Sequence, residues 1–442
     1  MHNILPQRRF FETSPSEEAA PLVNRTILVR GARQLLTLHG PAGPRRGSAL
    51  QELGVIEDGS LLIKNGIIAN VGPTRRIENL AEARSADEIN ANGRVVMPAF
   101  NDPHVRLVGP PARSLEYPVG SSAARITSSE LSHAAQQYLR VTPPGRLEFQ
   151  AQRILERSVR HGTTGIEAKC GYGLDDTAEL KALRVSSNVG TGLCAVVSTF
   201  TASASIGQFD GRTDMQIDWI CGELLPKIHQ RQLAAFTEVV CDPAGFTIQQ
   251  ARTLFATARR LGFLLKLQAE QTARTGAVHL AVEMDIRAIA GLNFCDQVDA
   301  DALSRSRTVA TLLPALVYHS RSSAFPPARM LIDTGAAVAL GSGYSPSLPG
   351  TYSPQPVLSL ACTEMEMTPE EAINAATINA AYAMNRAQTT GSLEYGKEAD
   401  LIILDVPDYH EIPYHLGVNQ VETTMRNGSV IYREGAVRCP LQ

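Results

Sequence analysis

From Val95 onward the chain alternates short apolar runs with stretches whose apolar residues recur at helical spacing. The candidate strands are 95–104, 163–170, 192–200, 234–241, 263–270, 293–298, 308–315 and 336–343. Between them lie RLEFQAQRILERSVRHG, QIDWICGELLPKIHQ and IQQARTLFATARRLG, each apolar on one helical face and two of them closed by glycine. Eight strand–helix units predict an α/β fold, a TIM-type (β/α)8 barrel over 95–390, with functional side chains at the C-terminal ends of its strands.

The two chain ends follow a different period. RTILVRG and GSLLIKNGIIANVG near the start, and ADLIILDVP and TTMRNGSVIYREG near the end, alternate like strands. Two Asn-Gly pairs, Asn65-Gly66 and Asn427-Gly428, suit tight hairpin turns that need positive φ. Residues 26–94 and 391–442 are therefore expected to build one small composite β domain, with 1–25 as a disordered tail.

Composition narrows the partner more than the fold. Lys+Arg 41 against Asp+Glu 44 leaves a net charge of −3 with no long run of one sign, which argues against a nucleic-acid or anionic-membrane surface. A small molecule is the expected ligand. Cysteines 170, 194, 221, 241, 295, 362 and 439 are odd in number and scattered, as for reduced thiols of a cytoplasmic protein. The polar N-terminus has no apolar core with a cleavage site, so neither secretion nor anchoring is expected.

The stretch VVMPAFNDPHVRLVGPPAR (95–113) carries an apolar run into a proline-bounded turn and then presents His104 and Arg106 at a strand end. It resembles the amidohydrolase superfamily, which has His-x-His there to grip a divalent metal. An arginine has no lone pair to give, so Arg106 cannot be a ligand.

The segment GTTGIEAKCGYGLDDTAELKALRV (162–185) resembles the signature of imidazolonepropionase, a cyclic-amide hydrolase of that superfamily, with Cys170 in place of a serine. VVSTF, TLLPAL, PPARMLIDTG, MTPEEAINAATINAAYAM, GSLEYGKEADLIILDVPDY and YHLGVNQV continue the resemblance in register. It implies one zinc or iron ion held by two histidines after the first strand, one after the fifth and an aspartate after the eighth. On this chain those positions are His104, Arg106, Gln268 and Gly343. The family's proton-shuttling acid falls on Gln271, its sixth-strand histidine on Gln297 beside Asp296, and a substrate-contacting histidine on Ala204. Arg113 and Tyr172 match the residues that hold and border the substrate.

The resemblance thus implies a degenerate metal site with no metal cofactor, and a pocket for a small anionic ligand lined by Arg106, Arg113 and Tyr172. Arg106 either supplies the lost positive charge, to a ligand carboxylate, Asp296 or Glu167, or forms a structural salt bridge. His104 is a remnant ligand, a proton carrier, or a histidine bonded into the barrel mouth. The alternative is a working hydrolase or lyase on cyclic amides, with His104, Asp296 and Arg106 acting without metal. Glu167 and Lys169, two apart on one strand face, are expected to pair inside the barrel. A reactive Cys170 thiolate is a further option, and the resemblance implies a homodimer.

Overall fold

The computed structural model describes residues 25–111, 136–172, 175–190, 192–204, 209, 211–348 and 350–435. Five strands come first: β1 (Thr26–Leu36), β2 (Val55–Lys64), β3 (Ile67–Pro73), β4 (Asp87–Asn90) and β5 (Val95–Pro98). Eight more follow, each but the last hydrogen-bonded in parallel to the next: β6 (Phe100–Val105), β7 (Thr163–Cys170), β8 (Ala195–Ala202), β9 (Phe236–Cys241), β10 (Leu264–Ala269), β11 (Ala288–Gly291), β12 (Val309–Leu312) and β13 (Ala337–Leu340). The last three are β14 (Leu401–Leu404), β15 (Val421–Arg426) and β16 (Ser429–Arg433).

Strands β6–β13 form the expected barrel with helices between them. The ring closes through a thin seam: Arg106 N donates to Tyr344 O at 2.8 Å, and Asp102 Oδ1 accepts from Ser342 N at 3.1 Å and His104 N at 3.2 Å. Asp102, unremarked in the sequence, thus ties the first strand to the last. Its burial pushes its pKa up to about 6, only partly countered by the Ser342 and His104 donors.

The terminal strands form one sheet, in the order β16-β15-β14-β5-β1-β2-β3 with β4 beside β1. Both Asn-Gly turns form, with φ of 50° and 83° at Asn65 and Gly66 and 47° and 71° at Asn427 and Gly428. The turns touch, and a Cβ on Gly66 would lie 2.7 Å from Asn427 O.

Two strand readings need correction. The apolar run from Val95 is not one strand: Val95–Pro98 pairs with β1 and β14 in the terminal sheet, and only Phe100 onward enters the barrel. The sixth barrel strand is Ala288–Gly291, not 293–298. Small residues let AIAG pack with every residue buried, whereas 293–298 turns and starts a helix at its Asp296 cap. Residues 1–24, expected as a tail, lie outside the described residues. The six described cysteines are free thiols, and among the described residues no helix is long and apolar enough to cross a membrane.

Candidate active site at the barrel mouth

The barrel interior below the mouth is charged. Glu167 and Lys169 stand on β7, Glu238 on β9 and Lys266 on β10, and the register sets Lys169 beside Thr199, Thr201 beside Glu238, and Glu238 beside Lys266. Lys169 Nζ donates to Glu167 Oε1 at 2.8 Å and to Glu238 Oε1 at 2.6 Å, while Lys266 donates to Glu167 Oε2. Thr199 and Thr201 hydroxyls donate to Glu167 at 2.7 Å and Glu238 at 3.0 Å. All four charged side chains are at most 2% exposed. Two cations against two carboxylates sum to zero, which is what makes this burial tolerable.

Burial alone would raise Glu167, but the Lys169 and Lys266 ammoniums outweigh it and hold its carboxyl below the usual range. Lys266 is pulled down to about 8 by burial, with Glu167 opposing. The Glu167–Lys169 pair is the one expected from their spacing. Glu238 and Lys266 were missed, although a charge inside an apolar strand run, as in FTEVVC and LLKLQA, is the signal that marks such a residue.

Above this lattice stands His104, 7% exposed, with Nδ1 enclosed and without a hydrogen-bond partner. Burial first, and then Lys169, Arg106 and Lys266, lower its pKa well below the ordinary imidazole value. It is a neutral imidazole at physiological pH.

Arg106 lies just past β6, half-buried. Its Nη1 donates to Gly171 O at 3.2 Å, and its guanidinium sits 5.0 Å from the Tyr172 ring centroid. It pairs with neither of the carboxylates considered for it. Glu167 is held by the two lysines. Asp296 caps the helix Gln297–Ser304, accepting from Asp299 N at 3.1 Å, and pairs with Arg274 at 2.9 Å. Among the described residues no carboxylate reaches ion-pair distance of Arg106, so the salt-bridge reading is also set aside.

Tyr172 takes its position from Gly171, where a Cβ would come 1.8 Å from Thr201 O, so only glycine fits. Its hydroxyl donates to Val108 O and its N–H to Glu179 Oε1 at 2.7 Å, and burial pushes its pKa up to about 12. Arg106 and Tyr172 are thus brought together. Arg113 lies outside the described residues.

The positions matching family ligands behave differently from one another. Gln268 Nε2 donates to Gln271 Oε1 at 2.6 Å, so the two amides are joined by a hydrogen bond. Gly343 has φ +65°, and a Cβ there would sit 3.0 Å from Leu316 Cβ. Gln297 is turned outward to Asp301 at 2.9 Å and Thr334 at 3.0 Å. Ala204 is half-buried just beyond β8. Among the described residues no three histidine, cysteine, aspartate or glutamate side chains are grouped so as to hold a metal ion. One imidazole, two mutually bonded amides and a nearby guanidinium do not fit a divalent ion, which wants three or four His, Cys or carboxylate donors. Cys170 is buried, and burial raises its thiol well above the ordinary range, the reverse of what a reactive thiolate needs.

The model of the amidohydrolase family matches residues 265–431. An imidazolonepropionase of Parabacteroides distasonis is 35% identical over 415 residues, covering 92% of this chain and 99% of that protein. One from Geobacillus kaustophilus is 36% identical over 425 residues, covering 93% and 99%. Among solved structures, 5-methylcytosine deaminase from Klebsiella pneumoniae superposes with a TM-score of 0.68 at 17% identity, covering 92% of this chain and 98% of that one. E. coli guanine deaminase does so at 0.67 and 14%, covering 92% and 99%. At such identities the superpositions speak for the fold alone.

Proposed function

The chain belongs to the imidazolonepropionase family of amidohydrolases, and from that premise we propose that its barrel mouth binds a small carboxylate-bearing molecule without metal-dependent hydrolysis. The observation that carries this reading is Arg106. Its guanidinium replaces a metal-ligand imidazole, stacks on Tyr172 and has no carboxylate partner among the described residues. The lattice beneath is self-neutralised, so Arg106 is the charge left for an anion, and its fork suits a carboxylate.

Tyr172 forms an apolar wall, and neutral His104 offers a hydrogen bond rather than charge. Arg113, matched to the family's carboxylate-holding arginine, belongs to the same pocket in this reading. Hydrolysis without metal by His104, Asp296 and Arg106 is not favoured, because Asp296 is committed to a helix cap and Arg274. A homodimer, carried over from the family resemblance, completes the proposal and is checked by sedimentation.

Two measurements test it. Protein produced with zinc and iron supplied, then desalted, is expected to contain far less than one metal per chain and to leave imidazolonepropionate unhydrolysed. Small carboxylates, imidazolonepropionate among them, are expected to raise the melting temperature of wild type and not of Arg106→Gln. Stoichiometric metal with turnover would overturn the reading.

A further inference from the structure

A second concavity lies at the seam where the barrel closes. A cleft of about 510 Å³ runs between the helix Pro144–Arg160 and a wall that includes Tyr344, Leu348 and Tyr352. That volume falls within the roughly 300–1,000 Å³ of small-molecule sites. Apolar groups such as Leu107, Ile154 and Leu348 line it, and Phe149 stands at its edge, 64% exposed.

Its charge is one-sided. Arg153 and Arg157 stand four residues apart on one helix face, which sets their Cβ atoms about 6 Å from each other. Arg157 donates to the Tyr352 hydroxyl at 2.7 Å and lies 5.2 Å from its ring centroid, a neutral partner that leaves the charge uncompensated. Arg153 has no ion pair or hydrogen bond with a described residue. Gln150 Oε1 accepts from the Tyr138 hydroxyl at 2.7 Å, which leaves its amide N–H groups available. Among the described residues none that lines the cleft is acidic, although the chain carries more acid than base. A cleft of similar size beside Tyr318 and Arg321 includes Glu364 and so balances its own charge.

We propose that this seam cleft is a second binding site, adjoining the mouth but with its own pair of arginines, for a small oxyanion carried on an apolar body. The two guanidiniums take the phosphate or carboxylate head, and the apolar wall takes the body. Tyr344, whose carbonyl accepts the Arg106 N–H and whose hydroxyl donates to Tyr352 at 3.0 Å, is both the seam and the cleft wall.

The test is calorimetric titration of the full chain with phenyl phosphate, 3-phenylpropionate and inorganic phosphate. Titrations are repeated in Arg106→Gln, where the mouth loses the guanidinium on which its ligand binding is proposed to depend. Phenyl phosphate or phenylpropionate is expected to bind with or without Arg106, and inorganic phosphate more weakly, since it lacks the body. Whichever head binds tighter names the natural anion class, and either supports the site. Arg153→Gln and Arg157→Gln are each expected to weaken binding roughly tenfold. Arg153 has no described partner to lose, so an unchanged melting temperature certifies that variant's fold. Three results would overturn the proposal: no probe binding, binding that survives both arginine changes, or binding abolished by Arg106→Gln. In the last case the mouth reading stands and only the seam site falls.

Discussion

Gln268 and Gln271 hydrogen bond to each other at 2.6 Å, closing with two neutral amides the place where the family resemblance puts a metal ligand and a proton-shuttling acid. The two replacements are therefore linked: the Gln268 amide N–H is spent on Gln271, and neither side chain carries the charge or imidazole a divalent ion would want. The double variant Gln268→His/Gln271→Glu is expected to fold yet to bind no stoichiometric zinc, because Arg106 and Gly343 remain. Elemental analysis of the desalted variant checks this, and one zinc per chain would refute it.

Restoring the eighth-strand carboxylate meets the backbone itself. Gly343 sits at φ +65° with Leu316 Cβ 3.0 Å from any added Cβ. Gly343→Asp is expected to lower stability by about 1–2 kcal/mol from the left-handed conformation alone. Urea unfolding measures it, and an unchanged midpoint would show that the loop relaxes freely.

The charged lattice makes a larger demand. Glu167 accepts hydrogen bonds from both Lys169 and Lys266. Glu167→Gln strands buried positive charge and is expected to cost about 3–5 kcal/mol, whereas changes at exposed ion pairs such as Arg307–Asp285 should cost under about 1 kcal/mol. The contrast is read from the two sets of unfolding curves.

Asp102 gives the seam a pH signature. Its folded pKa, about 6, lies above the unfolded value near 4, so the native state holds this proton more tightly. The resulting stabilisation is present in full below the unfolded value and is lost as pH rises through about 6, a change of up to about 3 kcal/mol. His104, lowered by burial, acts in the opposite sense as pH falls. Comparing wild type with Asp102→Asn removes that background: their stability difference should drift in wild type's disfavour from pH 4 to 6 and then level off. A flat difference across that range would contradict the assignment.

Much of this protein was legible along the chain because the deciding signals are local. Period-two and helical apolar patterns specify strands and helices, Asn-Gly pairs specify the two hairpins, and the residue types at 104, 106, 268 and 343 are read directly. Two residues apart on a strand is enough to pair Glu167 with Lys169. The register between strands decided the rest. It joined Glu238 and Lys266 to that pair and left Arg106 over Tyr172 instead of on an acid. It also gave Asp102 to the seam. Local competition decided other positions: Asp296 went to a helix cap, and 293–298 gave up the sixth strand to the small residues of AIAG, which pack with every side chain buried. Sequence names the donors and charges available. Which of them meet depends on strand stagger and barrel closure, which no single stretch encodes.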